Sequence, residues 1–403
     1  MKYIFLFLSL VLCTACSSSK QDIVLETGSY TGFLKITQDQ NLPFTFEVLS
    51  NSTIRILNSY EVIDVNDITF HNDSIIIQPP VFEGVLKAVV RGSQLKGYYL
   101  KPNLNIAIPF FAEKDTIRFK SAKAPEYNIS GNWQTIFSPN IPKNKYLAKG
   151  IFHQKGSRVN GTFRTVTGDY RFLEGVVDGD SLKLSTFDGA HAFLFKAKLT
   201  DSTMSGMFYS GNHWKEPFTG TLNNDFDLPD ANSLTYLKEH KDQFIFSFPN
   251  QNGTLISSND DRFKNKVTVV QLMGSWCPNC LDESKFYTQY YKSNKDKDIE
   301  FVALAFEVAN SQEKAFKAIY RLTSTLGIPY PILLAQYGSS DKSLAQEKLP
   351  MLDTIIAYPT TLILDKKGRV RKIHTGFNGP ATGDKYVDFK QNFEQLIEEL
   401  LQE

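Results

Sequence analysis

The nine residues Leu272-Met273-Gly274-Ser275-Trp276-Cys277-Pro278-Asn279-Cys280 constrain this chain more than any other stretch. An apolar run from Val267 to Leu272 leads into them and suits a buried strand. An amphipathic stretch with Phe286, Tyr287, Tyr290 and Tyr291 follows and suits a helix. Two cysteines with two residues between them, at a strand-to-helix turn, bring both sulfurs into the first helical turn, where they close a small ring. Cys277 faces unpaired backbone N–H groups and the positive end of the helix dipole, and both favour its thiolate. Such a thiolate attacks a substrate disulfide, and Cys280 then resolves the mixed disulfide. Structural zinc would need a second ligand pair, and these two are the only cysteines after Cys16. An inert bridge across two residues would constrain almost nothing. No metal is therefore expected.

The 403 residues are enough for two or three domains. A formal charge of +1 gives no reason to expect a nucleic-acid partner. Aromatic residues make up 13% of the chain, with 31 Phe and 18 Tyr, which favours β-rich structure. At the N-terminus, Met1-Lys2 and the apolar run Tyr3 to Leu12 read as a signal peptide, too short for a stable span. Small residues lead to Cys16 and a polar Ser/Lys/Gln segment follows it. This resembles a bacterial lipoprotein cleavage box, with Cys13 where leucine is usual. The resemblance implies that Cys16 becomes the lipidated first residue and holds the protein at a membrane. An ordinary cleaved signal peptide is the alternative. Export also fits a mature chain that keeps only an anchor cysteine and one redox pair.

From Gly28 to about Leu222, short alternating or apolar runs are separated by Gly, Asn and Asp turns, with no helical period. Thr45–Leu49, Ser74–Ile77, Ser181–Leu184 and Ala192–Lys196 are examples. The order Asp73–Ile77, Val81–Gly84, Leu95–Tyr99 recurs loosely as Asp180–Leu184, Thr186–Gly189, Met204–Tyr209. Gly28-Ser29-Tyr30 and Gly131-Asn132-Trp133 open the two copies. Two related antiparallel units, 28–118 and 128–222, follow from this, barrel- or sandwich-like. His191 and His213, beside Asp188 and Glu216, lack metal-ligand spacing. Trp133, Trp214 and the phenylalanines suit interior packing better than a ligand cup. Gly161 to Tyr170 reads as strand and turn; it lacks the Gly-Lys-Ser/Thr ending of a phosphate loop.

Residues 223–243 are polar and turn-rich and read as a linker. Beyond them, Phe244–Phe248 and Thr254–Ile256 suggest a hairpin, and Ile299–Phe306 a strand. Asn310 with Glu313 suggests a capping pair for a helix ended by Gly327. Pro331–Ala335, Thr360–Leu364 and Arg369–His374 read as strands, and Phe389, Phe393, Leu396, Ile397 and Leu400 as the apolar face of a last helix. The resulting order is β-β-β-α-β-α-β-β-β-α.

Here the resemblance becomes specific. Phe248-Pro249-x-x-x-Gly253, Trp276-Cys277-Pro278-Asn279-Cys280, the insertion between Phe306 and Tyr358, and Tyr358-Pro359-Thr360-Thr361 resemble the TlpA/ResA-type membrane-tethered thiol-disulfide oxidoreductases of the thioredoxin superfamily. The resemblance covers 244–403 and implies an α/β thioredoxin fold with the TlpA-type insertion. It implies a cis Pro359 facing the redox pair, with the Tyr358 backbone placed to pair with a substrate strand and Trp276 flanking it. It also implies an acid near the buried cysteine, which Glu307 matches in rough position; a surface glutamate ending a strand is the alternative reading. Gln271 stands where thioredoxins proper carry a buried Asp.

The expected protein is thus a signal peptide (1–16), a tether (17–27), an all-β region (28–222), a linker and an oxidoreductase domain (244–403). Its partners would be disulfide-bearing or thiol proteins and a membrane electron donor, and its place the cell envelope. Cys277 and Cys280 would be the sole redox group, with no separate cofactor, and reduction the direction that the resemblance implies. A peroxiredoxin normally carries Pro seven residues before its peroxidatic Cys, where this chain has Val270. A tethered ligand-binding protein with an accessory redox domain is the non-enzymatic alternative.

Overall fold

The computed structural model describes residues 24–102, 105–239 and 242–403, so Cys16 and the signal segment lie outside the described residues. The first body is a nine-stranded antiparallel sheet: β1 (Gly28–Lys35), β2 (Asn41–Ser50), β3 (Thr53–Asn58), β4 (Glu61–Val65), β5 (Asp67–His71), β6 (Ser74–Gln78), β7 (Val85–Arg91), β8 (Gln94–Lys101) and β9 (Ile106–Lys114). Successive strands pair, β9 returns to β1, and the sheet stays open between β4 and β5. The second body repeats this order with β10 (Gly131–Phe137), β11 (Tyr146–Lys155), β12 (Arg158–Thr165), β13 (Gly168–Asp169), β14 (Leu173–Asp178), β15 (Ser181–Phe187), β16 (Ala192–Leu199), β17 (Thr203–Ser210) and β18 (Trp214–Leu222). Here β12 pairs with β14 and β18 with β10, so eight strands close a barrel. The segments that recur in sequence occupy equal places: β1 and β10 open the copies, β6 matches β15, and β8 matches β17.

Side chains explain why one copy closes and the other does not. Phe137, Phe163, Phe195 and Phe218 pack edge-on and tilted against one another inside the second body and fill it. The core of the first body instead admits Phe187, Ala192 and Leu194 from β15 and β16. Phe187 lies 4.4 Å, ring centre to ring centre, from Phe44. Buried Arg118 spans the seam, donating to the Ser185 carbonyl at 3.0 Å and to Thr45 Oγ1 at 3.2 Å. Trp133 is fully buried as expected, whereas Trp214 at the start of β18 is 46% exposed and packs no interior.

The C-terminal body begins with the short hairpin β19 (Ser247–Pro249) and β20 (Leu255–Ser257), whose first strand is shorter than the expected Phe244–Phe248. Its sheet runs β23-β22-β21-β24-β25, from β21 (Val267–Met273), β22 (Ile299–Phe306), β23 (Ile332–Gln336), β24 (Thr360–Leu364) and β25 (Val370–Thr375). The first three strands in sequence are parallel; β24 runs antiparallel to its neighbours β21 and β25. Every residue of β21 to β24 is buried, which is why apolar residues dominate them, with Thr268, Gln271, Glu300, Gln336, Thr360 and Thr361 as the polar exceptions. Helices α1 (Pro278–Ser293), α2 (Gln312–Leu326), α3 (Lys342–Lys348) and α4 (Asp384–Gln402) complete a thioredoxin fold, with α3 an unexpected turn of helix in the insertion. The cap of α2 is Ser311, whose hydroxyl accepts from the Lys314 N–H, one residue beyond the expected Asn310. Gly327 ends it in the left-handed conformation, as expected. The stretch read as a linker is laid along this body: Leu237 bridges Leu352, Gln243 bridges Arg369, and the Ala231 carbonyl accepts from Thr375 N–H. Among the described residues no helix is long and apolar enough to cross a membrane.

Candidate active site

The redox pair sits where the central strand β21 ends. Cys277 has extended backbone angles and is the N-cap of α1, with Pro278 at the first helical position. The Cys280 N–H donates to Cys277 Sγ at 3.2 Å, and the two cysteines form a disulfide with Cα atoms 5.2 Å apart. Cys277 keeps 7% of its surface exposed and Cys280 none. Only the first sulfur is therefore open to attack or to attack from. The approach turn is tight: a Cβ on Gly274 would meet Trp276 Nε1 at 2.3 Å. Trp276 is half-buried and fixed by its indole N–H, which donates to the Phe306 carbonyl at 2.9 Å. Its ring stands edge-on to Tyr358. The Tyr358-Pro359 bond is cis, and the Tyr358 carbonyl oxygen lies 3.5 Å from Cys277 Sγ.

Two buried glutamates flank the pair. Glu307 is 1% exposed, which removes the reading of a surface residue at a strand end. Its carboxylate accepts from the Ser275 N–H at 2.8 Å and the Ser275 hydroxyl at 2.7 Å, two residues before Cys277. Burial pushes its pKa up to about 7 against the lowering effect of Ser275, with Glu83 adding to the rise. Glu283, which sequence reasoning missed, lies three residues after Cys280 on the same helix face and is fully buried. It accepts from Gln271 Nε2 at 2.8 Å, Thr361 Oγ1 at 3.0 Å and the Tyr287 hydroxyl at 3.1 Å. Burial raises its pKa to about 7, and these three hydrogen bonds hold it from going higher. A signal was present: positions 283, 286, 287 and 290 share one face, and Glu283 is the acid among Phe286, Tyr287 and Tyr290.

The β region reaches this site. The turn between β12 and β13 presses on the redox loop so closely that a Cβ on Gly168 would lie 1.9 Å from Asn279 Nδ2. Asp169 accepts the N–H groups of Gly379 and Arg171, both at 2.6 Å. Buried Arg171 donates to Asp282 Oδ2 at 2.7 Å and to the Pro278 carbonyl at 3.1 Å, both on α1. It also pairs with Glu61 of the first body and lies 3.2 Å from Asp188 of the second. Burial works against its charge, yet Asp282, Glu61 and Asp188 together hold its pKa above the ordinary value. One guanidinium thus ties three bodies together. Between the second body and the redox loop lies a cleft of about 880 Å³ that includes Cys277, Trp276 and Tyr358.

Residues 229–388 match the Redoxin family model. This part of the chain is a Redoxin domain. The chain is 30% identical over 114 residues to the thioredoxin-like protein YneN of Bacillus subtilis, covering 28% of this chain and 58% of that protein. It is 26% identical over 108 residues to the thiol-disulfide oxidoreductase ResA of Bacillus thuringiensis, covering 27% and 54%. The chain therefore spans a little over half the length of these relatives. Among solved structures, a putative thiol:disulfide interchange protein DsbE from Chlorobium tepidum is 19% identical, covering 40% of this chain and 98% of that one, with a TM-score of 0.30. A thiol-disulfide oxidoreductase from Bacteroides fragilis is 22% identical, covering 37% and 99%, with a TM-score of 0.27.

The site residues expected from sequence converge within the Redoxin domain: Cys277, Cys280, Trp276, Tyr358 and Pro359 meet at one turn, with Glu307 behind Ser275. The histidines and acids of the β region do not gather. Asp188 pairs with His191 and Arg171, while Glu216 accepts from Ser138 and Tyr146 in the second body. Among the described residues no group of three or more His, Cys, Asp and Glu is placed to hold a metal ion.

Proposed function

We propose that the chain is an exported, membrane-tethered thiol-disulfide oxidoreductase that reduces protein disulfides through a mixed-disulfide intermediate. The observation that carries this reading is a reachable Cys277 at a helix N-terminus, opposite a cis proline, with Cys280 buried behind it. In the reduced enzyme, the Cys277 thiolate attacks one substrate sulfur and the other sulfur leaves as a thiolate, which takes up a proton. Cys280 loses its proton and attacks Cys277, the second substrate sulfur leaves, and the pair ends oxidised. A thiol donor then restores it; at the membrane surface we assign that role to a membrane electron donor. The chemistry needs no cofactor beyond the pair itself. With dithiothreitol as donor, the full chain should turn over hydroxyethyl disulfide, a small model substrate; no turnover would refute the proposal.

Glu283 is the better placed of the two glutamates to receive the Cys280 proton, since it lies one turn along the same helix. A base with a pKa of about 7 works better as pH rises through that value, because its proton is then lost. Mixed-disulfide resolution should therefore accelerate across neutral pH. Glu283→Gln should remove that rise and slow resolution on the order of 10²-fold, as read by rapid acid quench. Glu307→Gln is the matched comparison. If it alone alters the profile, the proton passes through Ser275 and Glu307 instead.

Membrane attachment through Cys16 belongs to the same proposal, on the strength of the Ala15-Cys16-Ser17 box. Cys16→Ser should move the protein from the membrane to the soluble exported fraction on cell fractionation. A wild-type protein already soluble and unacylated would refute the anchor.

A further inference from the structure

A two-cysteine pair needs no second wall, yet the second β body supplies one. Resting on the oxidoreductase reading above, we propose that this wall selects the substrate. The cleft takes a cysteine carried in an extended, apolar polypeptide segment of acidic rather than basic character.

Three observations lead there. The first is size and access. Cys277 is 7% exposed and opens into a cleft of about 880 Å³, the scale of a pocket that encloses a small ligand or a few residues of chain. The Gly168–Asn279 contact closes one side of the redox loop, so the flat face of a folded protein cannot settle on it. Arg171, bound to Pro278 and Asp282, keeps that wall in place. The second is surface chemistry. Tyr146, Leu147, Val166 and Phe193 of the β body face the same cleft as Trp276 and Tyr358. The sheet register of β24 begins at Thr360, which leaves the Tyr358 backbone ahead of the paired strand, where an extended segment adds main-chain hydrogen bonds. A small disulfide without amides has no use for that edge. The third is charge. Lys145 and Lys342, one from each wall, are exposed at the cleft. The carboxylate of the cleft, Asp169, is buried and occupied by two backbone N–H groups. Asp341, next to Lys342, acts on Tyr358 but accepts the Ser343 N–H at the start of α3. The charges left for a ligand within the cleft lining are positive, which favours acidic residues beside the substrate cysteine and repels basic ones.

The test uses the full chain, dithiothreitol as electron donor, and short peptides whose single cysteine is held as a mixed disulfide with 2-mercaptoethanol. Cys277 forms the mixed disulfide with the peptide sulfur and releases 2-mercaptoethanol. Cys280 then releases the peptide thiol, leaving the enzyme disulfide for dithiothreitol to reduce. Peptides with Phe, Leu and Glu around the cysteine should exceed Gly/Ser-flanked ones in kcat/KM by about tenfold, equivalent to about 1.4 kcal/mol. Peptides with Phe, Leu and Lys should fall below the Glu series. In a Lys145→Glu/Lys342→Glu variant, whose changes are at exposed positions, the Glu-over-Lys order should reverse. In Leu147→Asn the apolar preference should shrink. Equal kcat/KM for all three peptides, for insulin as a folded disulfide, or ratios that survive these substitutions, would overturn the proposal. Turnover of hydroxyethyl disulfide separates the two levels: if it proceeds while the peptide ratios are flat, only the selecting wall is wrong. If it is absent, the oxidoreductase reading fails and the wall proposal with it.

Discussion

Cys277→Ser should reduce disulfide turnover to the background rate of dithiothreitol alone, whereas Cys280→Ser should trap substrate on the enzyme. The asymmetry comes from burial and from the helix end. Cys277 is the sulfur with exposed surface, and it caps α1, where unpaired N–H groups and the dipole stabilise a negative sulfur. Serine at that position keeps the cap but has no comparable anion near neutral pH, so the first attack does not occur. Cys280 is fully enclosed and bonded to the sulfur of Cys277. Without it, the first attack proceeds and the mixed disulfide persists. Mass spectrometry of the Cys280→Ser protein, quenched by alkylation after one exposure to a disulfide peptide, should show one bound peptide per chain. Full turnover by Cys277→Ser, or a trapped adduct on Cys280 in that variant, would reverse the assignment of the two roles.

Arg171→Leu should destabilise the protein by about 3–5 kcal/mol, the usual cost of removing one partner of a buried ion pair. Leucine fills much of the space but leaves Glu61, Asp188 and Asp282 facing one another with 10%, 1% and 10% of their side chains exposed. Asp188 suffers most. Burial would raise its pKa, and His191 with Arg171 now holds it well below the usual carboxylate range. A depressed carboxylate pKa contributes stability above the unfolded value, about 4, that is lost as pH falls through the folded one. At neutral pH the variant should therefore lose the full contribution, and its melting temperature should drop by roughly 10 °C. The difference from wild type should shrink in acid, where the stranded carboxylates take up protons. Arg171→Lys should restore part of the loss, since it keeps the charge without the planar fork that reaches three carboxylates and a carbonyl. Limited proteolysis should show earlier cleavage between the β bodies and the Redoxin domain. Melting unchanged by Arg171→Leu would mean that the three carboxylates find water or other cations.

Where the local chain carries its own instruction, residues and structure agree. Val267–Met273 is buried on both faces and so is apolar except at Thr268 and Gln271. Gly327 ends α2 because few other residues accept a left-handed backbone there. The turn Gly274–Cys280 places two sulfurs at a helix start whatever surrounds it. The repeat in the β region was visible because equal strands in equal order keep similar turn residues. Contacts between residues far apart in sequence were not legible. Glu307 matched the acid that the resemblance places near the buried cysteine and equally a surface residue at a strand end; the fold decided it by bringing Ser275 onto its carboxylate, across 32 positions of chain. Glu283 shares a helix face with Phe286, Tyr287 and Tyr290, but the burial that raises its pKa is completed only when Gln271 and Thr361 reach it from other strands. Arg171 and Gly168 carried no motif at all; their weight comes from Asp282 and Asn279, more than a hundred residues downstream. Local residue order was enough for the redox pair, its helix and the strands around it, because those depend on hydrophobic period, turn chemistry and spacing within a few residues. The tertiary structure alone decided which acids are buried beside the sulfurs and that a β barrel walls the site, because burial and charge pairing are set by surfaces that meet only once the chain has folded.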